Sequence, residues 1–292
     1  MWCEEEHITT PASDRSYRKI FTEEFKIGQF KPKKDQCVIC TKWKRSTTQE
    51  KAEMANKYAV HRQNRRISRG FKTAGREKAQ SGTNPKFCCC SFDLQKVLLC
   101  PRSEVGSAFY ESRLSIYNFT MFDMGPKLGE CFLWNETQAR KSTLEVSSCV
   151  SKFIEDRSSK GFDEFEFYSD NPTSQHNIFI FGMYLYACVK FGVRILHTYL
   201  EVGHTHMEVY SMHALIEKAV FRKEIMDQDE WCSYILQAKK CGKTRNDPVE
   251  KYNINKIGED VHILDFKELV ALQNWDYDTS KKKINWLKVR EI

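Results

Sequence analysis

At 292 residues, 41% of them hydrophobic and 29% charged, the chain has apolar side chains for a sizeable core and room for one large or two modest domains, which excludes a disordered polymer. The net charge of +7 is concentrated: Lys31 to Lys78 holds fifteen Lys/Arg against four acids, +11 in one segment, leaving −4 for the remainder. Such segregation is the electrostatic footprint of a polyanion partner or of a solvated basic helix. Twelve cysteines behind an N-terminus without an apolar signal core are expected to be reduced thiols in a nuclear or cytoplasmic protein, not a secreted one.

In chain order, residues 1–30 carry amphipathic helical signals, with Tyr17, Ile20, Phe21 and Phe25 at helical spacing and Asp14 as the cap. A second region, 31–84, opens on Pro32-Lys33-Lys34 and a Cys37-x-x-Cys40 pair. One such pair is half of a zinc site, with His61, or Cys3 and His7, as candidate partners, against a reading as ordinary buried thiols. Thr47 to Gln80 lacks proline and reads as a long exposed helix fraying around Gly70 and Gly75, ended by Ser81-Gly82-Thr83-Asn84-Pro85. Lys33, Lys34, Arg62, Arg65, Arg66 and Arg69 are its candidate nucleic-acid contacts, holding phosphates without reading sequence.

Residues 85–222 form the third region. Strands are expected at Phe87–Leu98, Arg113–Phe122 and Glu130–Asn135, then a helix over 142–155, a strand at Phe165–Tyr168, a helix over 178–191, a strand at 193–202 and a helix over 207–221. The run Ile178–Val189 is shorter than the ~20 residues of a membrane span and is closed by Lys190, so it is expected to be a core helix. The order β-β-β-α-β-α-β-α predicts an α/β fold with a mixed five-stranded sheet, preceded by a helical, basic N-terminal region. Residues 223–292 form a C-terminal extension, with a short helix over 231–238 and strand-like pieces at 261–266 and 284–289.

This block resembles the ribonuclease H-like fold of transposases, integrases and nucleases. The resemblance implies a first acid inside strand one, a second just after strand four and a third at the helix beyond strand five. Asp93 and Asp170 occupy the first two places, on strands that the fold sets side by side. The phrases Pro32-Lys33-Lys34-Asp35-Gln36-Cys37 with Cys40, Phe92-Asp93-Leu94-Gln95, Tyr117-Asn118-Phe119-Thr120, Tyr168-Ser169-Asp170-Asn171, Gly203-His204-Thr205 with Glu208, and His213-Ala214-Leu215-Ile216-Glu217 further resemble a group of transposase-like animal proteins with a catalytic region of unknown function. The match spans nearly the whole chain, which looks like a shortened copy or fragment. Two departures matter: that group commonly has an acid where this chain has Tyr210, and glycines where it has Pro172, Thr173 and Ser174.

The resemblance implies metal-dependent phosphodiester cleavage or strand transfer on DNA, with Mg²⁺ or Mn²⁺ held by Asp93, Asp170 and, as a weaker third ligand, Glu208. His204 could act on the leaving group or orient a phosphate, or be a turn histidine; Asn171 and Gln175 could support the site or cap a helix. Homo-oligomerisation is compatible with this reading, and no membrane partner is expected. Two alternatives stay open: a catalytically inactive domesticated relic that binds nucleic acid or protein, and a zinc-dependent hydrolase using His204-x-His206 on a strand with Asp170, Glu208 and His213.

Overall fold

A computed structural model describes residues 13–25, 36–103, 105, 112–170, 178–238, 252–264, 277–278 and 283–284. Cys3, His7, Lys33, Lys34, Asn171, Pro172 and Gln175 lie outside them.

Helix α1 spans Asp14–Lys19, with a π-helical turn over Ile20–Glu24. Its cap is Ser13, whose Oγ accepts from the Ser16 amide; Asp14, expected there, falls in the first turn, where its charge still favours the helix dipole. Helix α2, Val38–Arg45, leads into α3, Thr48–Ser81. The start of α3 is fixed by a reciprocal capping box between Thr47 and Glu50, and its end by Gly82 at φ 66°, a left-handed cap that glycine adopts without strain. The expected fraying does not occur. The helix is continuous through Gly70 and Gly75, and Gly75 is buried because α3 leans on the sheet there: a Cβ would stand 2.8 Å from Glu166 Oε2 and 3.0 Å from the Tyr168 hydroxyl.

The sheet contains β1 (Phe87–Leu94), β2 (Leu98–Cys100), β3 (Leu114–Asp123), β4 (Leu128–Asn135), β5 (Glu164–Ser169), β6 (Arg194–Tyr199) and β7 (Asn253–Lys256). Its order is β6-β5-β1-β3-β4-β7, with β2 beside β3. β1, β3 and β4 are successively antiparallel, while β1, β5 and β6 are parallel. These five strands have the order and directions of the ribonuclease H-like fold. The sheet is larger than the expected five strands: the first expected strand divides into β1 and β2, and β7 adds to the far edge of β4 in parallel. β7 reads Asn-Ile-Asn-Lys, too short and polar to announce itself; edge hydrogen bonding, not periodicity, makes it a strand.

Helices cover both faces. α4 (Thr143–Ser158) and α5 (Ile178–Phe191) pack Val146, Cys149, Val150, Phe153, Ile180, Met183 and Ala187 against Cys88, Cys90, Phe92, Phe165 and Phe167. α6 (Val209–Ala219) and α7 (Gln228–Gln237) cover Ile116, Cys131 and Leu133 on the other face with Met212, Ile216, Trp231 and Ile235. Strand alternation explains the split of the Cys88-Cys89-Cys90 run: Cys89 turns to the second face, among Met124, Tyr168, Leu200 and Met207. The ten described cysteines are free thiols. A separate two-stranded ribbon joins β8 (Tyr277–Asp278) to β9 (Lys283–Ile284); β9 reaches the first residue of the piece expected at 284–289, Val261 of the piece expected at 261–266 makes a bridge to Ile257, and residues 265–266 and 285–289 lie outside the described residues. No helix among the described residues is long and apolar enough to cross a membrane.

Candidate functional site

The parallel register of β1 on β5 pairs Phe92 with Ser169, so Asp93 and Asp170 are each the next residue on neighbouring strands, which are roughly 4.8 Å apart. Alternation places Asp93 in phase with Cys89 and Ser91, on the face covered by α3 and α6. Both acids are half-buried. Across β3, Thr120 is paired with Asp93; its hydroxyl donates to the Asp93 carbonyl at 3.1 Å and lies 2.6 Å from His213 Nε2 of α6. Burial holds the His213 pKa down, to about 4, so its imidazole is neutral near pH 7.

β6 ends at Tyr199, and the chain then turns, with Gly203 at φ 75° and His206 at φ 40°, before α6 begins. His204 and His206 therefore do not share a strand face, as the hydrolase reading required, because left-handed backbone interrupts the alternation. His206 is exposed, and its carbonyl accepts from Lys72 Nζ at 2.6 Å. A cleft of about 580 Å³ is lined by Gln36, Asp170, Val202, Gly203, Thr205, His206 and Tyr210. Tyr210 is thus the α6 residue that shares a cavity with Asp170, and its hydroxyl is 2.8 Å from Thr205 Oγ1.

Glu208 faces elsewhere. Lys72 Nζ of α3 is 2.9 Å from its Oε2, Arg76 is 3.8 Å from its Oε1, and Ser91 Oγ donates to it at 3.4 Å. It lines a second, smaller cavity of about 240 Å³ with Ser68, Arg69, Lys72, Thr73, Arg76 and Thr205, a predominantly basic wall. Asp93, Asp170 and Glu208 are not drawn into a group whose ligand atoms lie within 4.8 Å of one another. The reason is local: two residues before Tyr210, at the N-cap position of α6, the Glu208 side chain points to the α3 cations.

The group that does meet this spacing among the described residues is Cys37, Cys40, His61 and His204. Cys37 caps α2 and Cys40 lies in its first turn, His61 is buried on α3, and His204 comes from the turn after β6. His61 Nε2 is 3.3 Å from both sulfurs, and His204 Nε2 is 3.2 Å from Cys40 Sγ. Glu201 Oε1 accepts from His61 Nδ1 at 2.8 Å. Burial, then the nearby Arg65 charge, lowers the His204 pKa and favours the neutral imidazole, while burial and the neighbouring Cys37 raise the Cys40 thiol. A cluster of this composition can hold a metal ion.

The expected phosphate contacts on α3 divide by exposure: Arg62, Arg66 and Arg69 are exposed and Arg65 is half-buried beside the cluster. Sequence reasoning had His204 near the acids and paired His61 with the cysteines; it did not join the two histidines, which are 143 residues apart. The local signal was Gly203, whose absent Cβ lets the turn touch Cys37. Glu201 as the His61 partner carried no sequence signal at all.

No family model and no curated protein matches the sequence. Among solved structures, the chain is similar to the simian T-cell lymphotropic virus intasome in complex with PP2A regulatory subunit B56 gamma, at 11% identity and TM-score 0.33, over 56% of this chain and 52% of that one. It is also similar to the catalytic core domain of BIV integrase, at 10% and 0.31, over 56% and 89%. The third is the Mos1 strand transfer complex, at 10% and 0.35, over 80% and 81%. The chain thus spans about half the length of the intasome chain. At these identities the likeness concerns fold, which the strand order establishes independently, and assigns no residue a role.

Proposed function

We propose that this chain is a transposase/integrase-like domain that binds DNA and keeps two acids of a phosphodiester-cleaving site, Asp93 and Asp170, without a usable third. The observation that carries this reading is that Tyr210 shares the cleft with Asp170 while Glu208 is neutralised by Lys72 and Arg76. The cleft supplies the Asp170 carboxylate, with Asp93 one strand away on β1; carboxylate oxygens of this kind suit Mg²⁺ or Mn²⁺, and such ions supply charge stabilisation for phosphoryl transfer. Asp93 and Asp170 would hold the cation, and the exposed arginines of α3 would bind the phosphate backbone. His204, engaged with Cys40, is withdrawn from any part in the chemistry at the acids. A phenol is a poor ligand for a hard divalent cation at neutral pH, so cleavage is weak or lost and binding persists. Zinc is the ion suited to Cys37, Cys40 and His61.

The test is plasmid nicking in Mg²⁺ and Mn²⁺, alongside DNA binding at several salt concentrations. The wild-type chain should bind in a salt-sensitive manner and nick little. Tyr210→Asp should raise nicking at least about tenfold, the equivalent of roughly 1.4 kcal/mol, and Asp170→Asn in that background should abolish the gain. Robust wild-type nicking lost in Asp170→Asn would instead establish an intact nuclease, and absence of DNA binding would overturn the proposal.

A further inference from the structure

The geometry points to a closed, four-ligand zinc site made by Cys37, Cys40, His61 and His204, which fastens the basic helix α3 to the turn that walls the Asp170 cleft. The four ligand atoms come from three separate parts of the chain and lie within 4.8 Å of one another. Hydrogen bonding accounts for only one of the two sulfur contacts of His61. His61 Nδ1 faces Glu201 Oε1 at 2.8 Å and so carries the proton, which leaves Nε2 with a single lone pair directed at two sulfurs, each 3.3 Å away. Cys40 Sγ in turn lies against two imidazole nitrogens, at 3.3 and 3.2 Å. Its thiol proton serves one of them, and the other contact needs the Nε2–H tautomer of His204. A cation at the centre is coordinated by all four groups at once.

Two sulfurs and two imidazole nitrogens in a compact set select zinc over the hard cations that suit carboxylates. A tetrahedral zinc with bonds of about 2.3 Å to sulfur and 2.0 Å to nitrogen sets its ligand atoms roughly 3.6 Å apart, a few tenths of an ångström beyond the observed sulfur–nitrogen contacts. Glu201 fixes the tautomer and ring orientation of His61, as a carboxylate partner of a zinc-bound histidine does. Glu201 and His204 belong to the same turn, closed by the His204 amide donating to the Glu201 carbonyl at 2.9 Å, so one loop delivers a ligand and the partner of another. That turn approaches α2 so closely that a Cβ on Gly203 would stand 2.7 Å from Cys37 Cα.

The metal does work that the core does not. α2 has no buried residue, Val38 is 79% exposed, and its described aromatic contact to α3 is the Trp43–Tyr58 stack at 4.1 Å. A site joining α2, α3 and the turn after β6 supplies the tertiary tether. Gln36, immediately before Cys37, lines the same cleft as Asp170, so the tether also sets one wall of that cleft. With four protein ligands there is no open position, which makes the zinc structural and removes the basis for a zinc hydrolase.

The test uses the full chain, purified without chelator, with zinc quantified and its coordination read by X-ray absorption; it is independent of whether DNA is cut. One zinc per chain with two sulfur and two nitrogen neighbours is expected. His204→Ala should weaken zinc affinity at least tenfold, Glu201→Gln by about 10- to 100-fold with the same ligands, and His204→Cys should keep zinc with three sulfurs. Chelation should open the 36–65 segment to limited proteolysis, and zinc should close it again. Failure of the wild type to take up zinc, oxygen or water in its coordination sphere, or an unchanged two-sulfur signal in His204→Cys would overturn the assignment.

Discussion

His213 is the residue at which the acid end of the sheet is sensitive to pH. Its folded pKa, about 4, lies below the ordinary 6.5 because burial penalises the imidazolium. The unfolded chain therefore binds a proton between these values that the native chain refuses. Stability from this group is complete above pH 6.5 and is lost as pH falls toward 4. Up to about 2 kcal/mol should disappear between pH 6.5 and 5. Urea unfolding midpoints measured across that interval should fall for the wild type, and the part due to this residue should be missing in His213→Gln. Gly203 is sensitive for a steric reason. At φ 75° with Cys37 backbone atoms 2.7 and 2.8 Å from a would-be Cβ, Gly203→Ala meets both left-handed strain and a backbone collision. A loss of at least about 2 kcal/mol is expected, read as a lowered thermal midpoint.

At the scale of elements, α3 is built with two kinds of face. Its stripe His61, Arg65, Ser68, Lys72, Gly75 follows helical spacing and turns toward the sheet and the Cys/His cluster, which explains how a strongly charged helix docks with almost no apolar surface. On the opposite side of the sheet, α4 is tied to the β3–β4 hairpin by Arg157, whose NH2 is 2.8 Å from Glu130 and whose Nε is 3.4 Å from Asp123. All three are buried, and burial raises the carboxyl pKa values of Asp123 and Glu130 against the pull of Arg157. Arg157→Met would leave two acids without their counter-charge and should cost about 3–5 kcal/mol at neutral pH. Because a raised carboxyl pKa favours the folded state below it and disfavours it above, that cost should shrink on acidification toward pH 5. Denaturant titrations of wild type and variant at both pH values check the sign.

For the whole molecule, the charge asymmetry becomes a surface. The sheet and its helices carry the acids at one end, and α3 crosses the same face with Arg62, Arg66 and Arg69 exposed. If that surface holds a DNA backbone, replacing these three arginines by glutamine should weaken binding equally across unrelated sequences. The slope of log affinity on log salt should drop by up to about 2.7, some 0.9 for each phosphate that an arginine no longer neutralises. A weakening that depends on DNA sequence would place these side chains in base reading instead.

The pattern of apolar residues by itself determined the order of strands and helices from Phe87 to Val220, apart from the break between β1 and β2, because period-2 and period-3.6 burial is written locally. The placing of Asp93 and Asp170 on adjacent strands is implied by the resemblance to the ribonuclease H-like fold, and the β1–β5 pairing supplies it in the structure. Edge pairing decided β7, whose polar Asn253–Lys256 has no period to read. Only the tertiary structure decided the direction of Glu208 and the union of His61 with His204, because each depends on which cation or loop of a remote element arrives beside it. Close approach is a property of packed backbone, and the sequence records it here in little more than the missing side chain of Gly203.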